Sequence, residues 1–320
     1  MIRSGRRNAV VAHFDATRAL APHTRYLLDR IADVCDRIVV VSTSGIDRDG
    51  QAWLGARPRI TFTTRPNVGY DFKSLQVGYQ LLNDPGGADI LFCNDSFIGP
   101  FVSLDKIFRT MDHRAVDFWG MTKSYEIKTH VQSYFMVFKS QVCGSPVFRH
   151  FWQDFGTPAN RAEAIEQGEL RLTGLLEEAG FSSGAYYEAT PEEIVLANRR
   201  LSFLHSPERE GEEAVTRWWR AHSSARIRSD ERLSFNPTIT LADAALHGSL
   251  PLLKLEAIRL DPAELGGAAL GAALADVFPQ AFEGVDKYIA DTNHLYRGRY
   301  RPKGLRDRLP KLYADLRYAY

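Results

Sequence analysis

Asn8-Ala9-Val10-Val11-Ala12-His13-Phe14 is the stretch whose reading decides the fold. It is an apolar run of strand length with no polar alternation. Arg37 to Ser42, centred on Ile38-Val39-Val40-Val41, reads the same way. Unalternated β-branched runs of this kind fit parallel strands covered on both faces. Between the two, Leu20, Leu27, Leu28, Ile31 and Val34 fall at helical spacing. Working outward, Arg59 to Thr64 reads as a strand, Phe72 to Leu82 as a helix and Asp89 to Cys93 as a strand. Asp117 to Met121 and Val131 to Phe138 are two further strands. Strands alternating with helices predict an α/β protein, a Rossmann-type, mostly parallel sheet flanked by helices. Its ligands belong at the carboxyl ends of the strands.

The second half changes character. Asn160 to Ala179 predicts one long helix, with Ile165, Leu172, Leu175, Leu176 and Ala179 on one stripe. Ser206 to Ser234 is highly charged and reads as helical, and Pro237, Pro251 and Pro262 punctuate shorter segments. We expect a domain boundary near residue 205, with the alternating α/β domain over 1–205 and a mainly helical region over 206–320.

Of the 320 residues, 44% are hydrophobic and 25% charged, and the formal net charge is +1. A near-neutral chain gives no whole-molecule case for nucleic acid as a partner. The three cysteines, Cys35, Cys93 and Cys143, are far apart and odd in number, which fits a reducing cytoplasm better than a disulfide framework. The apolar run Leu265 to Phe278 is broken by Asp276 and is too short to span a bilayer. From His294 to Tyr320 the chain holds eight basic and two acidic residues, interleaved with Tyr296, Tyr300, Tyr313, Tyr318 and Tyr320. That pattern suits either the anionic inner face of a membrane or a tail packed on the domain.

Three polar clusters sit where strands end. In His13-Phe14-Asp15, His13 and Asp15 are placed to meet a nucleotide; a capping role for Asp15 on the next helix is the alternative. In Asn67-Val68-Gly69-Tyr70-Asp71-Phe72-Lys73, Gly69 permits a left-handed backbone, and a helix start beside Lys73 attracts anions. Asn67, Gly69, Asp71 and Lys73 are therefore donor-site candidates. In Asn94-Asp95-Ser96, Asp95 is the natural ligand for a divalent metal, Mg²⁺ or Mn²⁺, that would neutralise a diphosphate. Asn94 stands beside it, and a simple Asn-Asp-Ser turn is the alternative.

A fourth cluster surrounds Glu169, ahead of Leu175-Leu176-Glu177-Glu178-Ala179-Gly180. Glu169 is the candidate general base for an acceptor hydroxyl, or else another surface glutamate. For the acceptor, Trp119 offers a ring face for a sugar, and His130 and Gln132 open the next strand; a structural role fits His130 equally.

Taken in order, these strings resemble the rhamnan synthesis F family of bacterial polysaccharide enzymes. The strings are Val-Ala-His-Phe-Asp at 11–15, Asn-Val-Gly-Tyr-Asp-Phe-Lys-Ser at 67–74, Asn-Asp-Ser-Phe-Ile-Gly-Pro at 94–100, Asp-Phe-Trp-Gly-Met-Thr at 117–122 and His-Val-Gln-Ser-Tyr-Phe at 130–135. Asn-Pro-Thr at 236–238 and Pro-Leu-Leu-Lys at 251–254 follow. The resemblance implies a GT-A-like glycosyltransferase. Its donor would be a nucleotide-diphosphate sugar, typically dTDP-β-L-rhamnose, transferred with inversion. Its acceptor would be a polysaccharide or lipid-linked glycan at the inner face of the plasma membrane. It also places Lys254 near the leaving diphosphate and gives the Glu169 segment the look of an inverting enzyme's base motif. Thr240-Leu241-Ala242-Asp243 is less aromatic than the family's pattern.

Two readings stand against it. A non-catalytic module holding a nucleotide sugar or glycan is compatible with the single aspartate at 94–96. A nucleotidyltransferase would need a glycine-rich basic loop after the first strand, and none follows here.

Overall fold

The computed structural model describes residues 5–83, 87–125, 128–205 and 236–296, with the backbone alone over 201–205. The strands in chain order are β1 Arg7–His13, β2 Arg37–Ser42, β3 Ile60–Thr64, β4 Asp89–Asn94, β5 Phe97–Ile98, β6 Phe118–Gly120, β7 Lys123–Ser124, β8 His130–Val131, β9 Phe135–Phe138, β10 Ser183–Ala185 and β11 Leu253–Lys254. The helices through the first 205 residues are α1 Pro22–Ala32, α2 Arg48–Gly55, α3 Tyr70–Leu82, α4 Leu104–Asp112, α5 Ser140–Cys143, α6 Pro146–Asp154, α7 Arg161–Ala164, α8 Arg171–Glu178 and α9 Pro191–His205.

The main sheet has seven strands in the order β10-β6-β9-β4-β1-β2-β3. β1 pairs in parallel with β2 and β4, β2 with β3, and β6 with β10; β9 runs antiparallel between β4 and β6. This is the mostly parallel α/β sheet that the apolar runs predict. Register brings the carboxyl ends into line: Ala12 faces Asn94, and His13 faces Ser42.

β1 shows why. All seven of its residues are buried. Successive side chains point to opposite faces. Ala9 and Val11 join Leu27, Leu28 and Ile31 of α1 and Ile107 and Phe108 of α4 in one core. Val10 and Ala12 join Phe72 and Leu75 of α3 and Trp152 of α6 in another. α3 lies so close on β1 that a Cβ added at Gly78 would sit 2.1 Å from Val10 Cγ1.

Two expected elements are interrupted. Val131 to Phe138 is not one strand, because Ser133 and Tyr134 form a turn between β8 and β9. Asn160 to Ala179 is helical but carries a π-helical turn, Ile165–Leu170, between α7 and α8. Both interruptions concern the site described below.

Residues 236–296 are short helical segments sharing a third core with the first half, in which Ile98, Tyr187 and Ala197 meet Leu253, Leu270, Leu274 and Val285. β11 pairs antiparallel with β5, Lys254 opposite Phe97. The charged stretch Ser206 to Ser234 and the basic tail from Arg297 onward lie outside the described residues. Among the described residues no helix is long and apolar enough to cross a membrane. All three cysteines are buried thiols, none joined in a disulfide.

Candidate active site at the carboxyl edge of the sheet

The loop from β3 to α3 turns back through two consecutive left-handed residues, Gly69 at φ 76° and Tyr70 at φ 57°. A tyrosine held there costs on the order of 1 kcal/mol or more and persists only where its surroundings enforce it. Arg65 does so, donating to the carbonyls of Pro66, Val68 and Tyr70 and, through Nε, to Ser74 Oγ at 2.9 Å. This bend sets Asp71 at the start of α3, where Asn94 Nδ2 donates to its Oδ2 at 2.7 Å. Asn94 Oδ1 in turn accepts from Ser96 N and Oγ, at 3.1 and 2.6 Å. Surrounding protein raises the Asp71 pKa, although one edge of the residue stays exposed; the bond from Asn94 and the charge of Lys254 pull the other way.

Asp95 follows at the end of β4, half-buried. Burial pushes its pKa up to about 6, opposed by the His13 ring and reinforced by Asp71. Thr24 Oγ1 donates to Asp95 Oδ2 at 3.3 Å, and His13 Nε2 lies 3.8 Å from the same oxygen. Beneath it, buried His23 donates from Nε2 to the Asp95 carbonyl at 3.0 Å; burial draws that ring's pKa down to about 4, so it is neutral.

β11 carries Lys254 into this group from far along the chain. Its Nζ donates to Ser96 Oγ at 2.9 Å and sits 3.8 Å from the centre of the Tyr134 ring. Burial lowers the ammonium pKa to about 8, against the pull of Glu256, Glu169 and Asp71.

Glu169 sits in the π-helical turn, whose neighbour Gly168 packs directly on the Phe72 ring. Ser133 donates to its Oε1 from the backbone N, at 3.1 Å, and from Oγ. His130 Nε2 lies 3.1 Å from Oε2. Burial would raise this carboxyl's pKa, but the bonds from His130 and Ser133 and the His130 charge outweigh it, and the net direction is down. Asp71 is electrostatically coupled to both Asp95 and Glu169, and Lys254 to both Asp71 and Glu169. Asp71, Asp95, Lys254 and Glu169 thus form one electrostatically linked group at this edge of the sheet.

Of the other sequence candidates, His13 borders this group through Asp95, and the rest separate from it. Lys73 turns to the Phe155 carbonyl, 3.3 Å from its Nζ. Asn67 is exposed on the loop. Gln132 is buried, its Oε1 accepting from Thr122 Oγ1 at 2.6 Å. His13 is buried between Ser42 Oγ, at 2.9 Å, and the Ala19 carbonyl, at 3.1 Å. Asp15 has Oδ1 filled by Thr17 and the Ala19 amide, and Oδ2 by the Tyr288 hydroxyl. It fixes a turn ahead of α1 rather than the helix start itself, whose cap is Ala21. Trp119 offers no ring face: it is 1% exposed, between Phe108 and Phe135, because its strand lies inside the sheet. Sequence reasoning missed Arg65, Ser96, Ser133, Tyr134 and Tyr288. Ser96 and Ser133 lie inside quoted motifs; no local pattern marks Tyr288.

A divalent cation can be tested against these donors. Among the described residues no three His, Cys, Asp or Glu side chains converge as a full ligand set. Asp95 and Asp71 are nonetheless two carboxylates whose ionisation burial opposes, and the Asp71 charge adds to that at Asp95. Such a pair fits a hard cation that takes its remaining ligands from phosphate and water.

The model of the family described as rhamnan synthesis protein F matches residues 38–204, more than half of the 320. The chain belongs to that family. Within the rhamnan synthesis F match lie the β3–α3 loop, Asn94, Asp95, His130 and Glu169; Lys254 lies beyond it. The chain is also 35% identical over 117 residues to the virulence protein VirA of Vibrio anguillarum, a match covering 35% of this chain and 37% of that protein. It therefore spans little more than a third of that relative's length. Among solved structures, TarS 1-349 of S. aureus matches at 14% identity and a TM-score of 0.37, over 88% of this chain and 92% of that one. The glucosyl-3-phosphoglycerate synthase of Mycobacterium tuberculosis, in complex with Mn²⁺ and UDP-glucose, matches at 10% identity and a TM-score of 0.36, over 62% and 77%.

Proposed function

We propose that this protein is an inverting glycosyltransferase that moves a sugar, rhamnose in the first instance, from a nucleotide-diphosphate donor to a bacterial surface glycan. The observation that supports the reading is the grouping of Asp95, Asp71 and Lys254 at the carboxyl edge of the sheet, with Glu169 within electrostatic range of Asp71 and Lys254. Membership of the rhamnan synthesis F family supports the polymer and the sugar.

Lys254 meets the leaving diphosphate, whose charge grows as the glycosidic bond breaks. Glu169 takes the proton of the acceptor hydroxyl as its oxygen closes on the anomeric carbon. Asp95 and Asp71 would hold a divalent cation, which supplies charge neutralisation to the pyrophosphate when bound. Alignment and fixed charge do most of the work, because the transition state resembles an oxocarbenium ion and forms no bond to the protein.

The test is turnover of a panel of nucleotide sugars by the purified protein, with and without a chelator, beside thermal shifts for each donor. Release of nucleoside diphosphate from dTDP-L-rhamnose, with a raised melting temperature, is the expected result. Tight binding of a nucleotide sugar or glycan without turnover would turn the reading to a binding module.

A further inference from the structure

The Glu169 carboxylate is held by more than a surface residue needs. The carbonyl oxygen of Lys128 lies 2.8 Å from His130 Nδ1. A carbonyl only accepts, so Nδ1 carries a hydrogen. A neutral ring would then turn the Nε2 lone pair onto a carboxylate oxygen 3.1 Å away, which is repulsive. One more proton must sit between the two groups. Ser133 settles where, because its amide and hydroxyl both donate to Oε1 and so favour the ionised carboxylate. The proton belongs on the imidazole, and His130 is buried.

Resting on the transferase reading, we propose that His130 is the positioning residue of Glu169: its ring, fixed by the Lys128 carbonyl and protonated on both nitrogens, holds the carboxylate ionised toward Asp71 and Lys254, while Ser133 holds the second oxygen. The π-helical turn presents Glu169 to both partners at once, in keeping with the habit of π-turns to occur at functional sites. The other charged and titratable groups facing Glu169 are Asp71 of α3, which opposes its ionisation, Lys254 of β11, which favours it, and the Tyr134 hydroxyl.

The arrangement suits late proton transfer. The acceptor oxygen becomes strongly acidic only as its bond to the anomeric carbon forms and the bond to the diphosphate oxygen breaks, its electron pair leaving with the diphosphate. The proton then passes to Glu169. A weak base suffices if it is ionised and immobile at that moment. His130, which an acceptor-binding role would aim at substrate, acts here through Glu169.

The experiment is a carbon-13 carboxyl titration of glutamate-labelled protein, with Glu169→Gln assigning the Glu169 resonance, in wild type, His130→Ala, His130→Gln and Ser133→Ala. The Glu169 midpoint is expected to rise by about 1 unit or more in His130→Ala, because an opposite charge at this range shifts a carboxyl by about 1–3 units. His130→Gln, which keeps a donor without the charge, covers the case in which the alanine variant does not fold, and should also rise. In turnover of dTDP-L-rhamnose, His130→Gln should lose more activity relative to wild type at about pH 5, where the raised Glu169 carboxyl is partly protonated, than at about pH 7. An unmoved Glu169 midpoint in both His130 variants overturns the proposal, as does a turnover loss equal at every pH. A shifted midpoint in a protein inert to every nucleotide sugar would keep the pair and remove the transferase reading instead.

Discussion

Asn94 bridges Asp71 and Ser96: its Nδ2 donates to Asp71 Oδ2 at 2.7 Å while its Oδ1 accepts from the Ser96 amide and hydroxyl. The amide orientation is fixed by this pairing, since the Ser96 N–H can only donate. One neutral side chain thus joins the β3–α3 loop to the end of β4 and separates two carboxylates. Asn94→Asp removes the donor and places a third carboxylate against Asp71. We expect a loss of about 1–3 kcal/mol at pH 7 from the broken bond and the repulsion. The loss should shrink as pH falls toward 4 and one carboxyl takes a proton. Melting curves at both pH values check it.

Replacing Glu169 by Gln keeps the shape and the Ser133 contacts but removes the base. Turnover is expected to fall by at least ~100-fold. The thermal shift given by the donor should persist, because Glu169 faces the acceptor side of the transfer in the proposed mechanism. Turnover near the wild-type value would take the proton-accepting role from Glu169.

Asp95→Asn separates stability from activity. The Asp95 carboxyl rises from 3.8 in the unfolded chain to about 6 in the fold, chiefly through burial. Between those values the native state binds more protons than the unfolded one, so stability falls as pH rises through about 4 to 6 and stays low above. The cost at neutral pH is on the order of 3 kcal/mol, at about 1.4 kcal/mol per unit. The asparagine variant should therefore melt higher than wild type at pH 7, match it near pH 4 and lose turnover. A variant no more stable than wild type at pH 7 would show that the Asp95 charge is already compensated in the fold.

How much of this was legible in the sequence follows from what each feature depends on. β1 and β2 could be read because full burial on both faces leaves an unbroken apolar run. The Asn94-Asp95 edge could be read because a polar triplet ending such a run must lie at a strand's carboxyl end. The π-turn could not: it preserves the helical stripe and differs by one residue per turn, a change fixed by Gly168 against Phe72. The break between β8 and β9 was hidden because Ser133 turns from the sheet to reach Glu169, a contact made 36 residues away. Trp119 misled because aromatic chemistry is the same in a core as on a sugar platform. Lys254 reaches Ser96 across 158 residues through β11 and β5, so only the family signature marked it.

Lys254 sets a basic limb. With its pKa drawn down to about 8 by burial, the ammonium is lost as pH rises past that value. Turnover per donor, kcat/KM, should fall above about pH 8, since that parameter reports the free enzyme. Lys254→Arg should move the limb beyond the accessible range, because a guanidinium does not deprotonate there. The same shift has a stability signature of known sign. Between about 8 and 10.5 the unfolded chain binds more protons than the native one, so wild type should gain stability with pH in that window and the arginine variant should not.

Gly168→Ala tests whether the π-turn places Glu169. A Cβ there would fall 2.6 Å from two carbons of the Phe72 ring. That ring stacks on Trp152 with centroids 5.9 Å apart and planes at 17°, and it touches Phe151 and Phe155, so it has no room to withdraw. The helical turn must move instead, carrying Glu169 away from His130 and Ser133. The strain should cost about 1–3 kcal/mol of stability, the usual range for overpacking. Turnover should fall while the KM for donor holds, because the donor-side residues Asp71, Asp95 and Lys254 lie on other elements. A variant that is destabilised with unchanged kcat would mean that Glu169 finds its partners wherever the turn sits, and that the glycine serves packing alone.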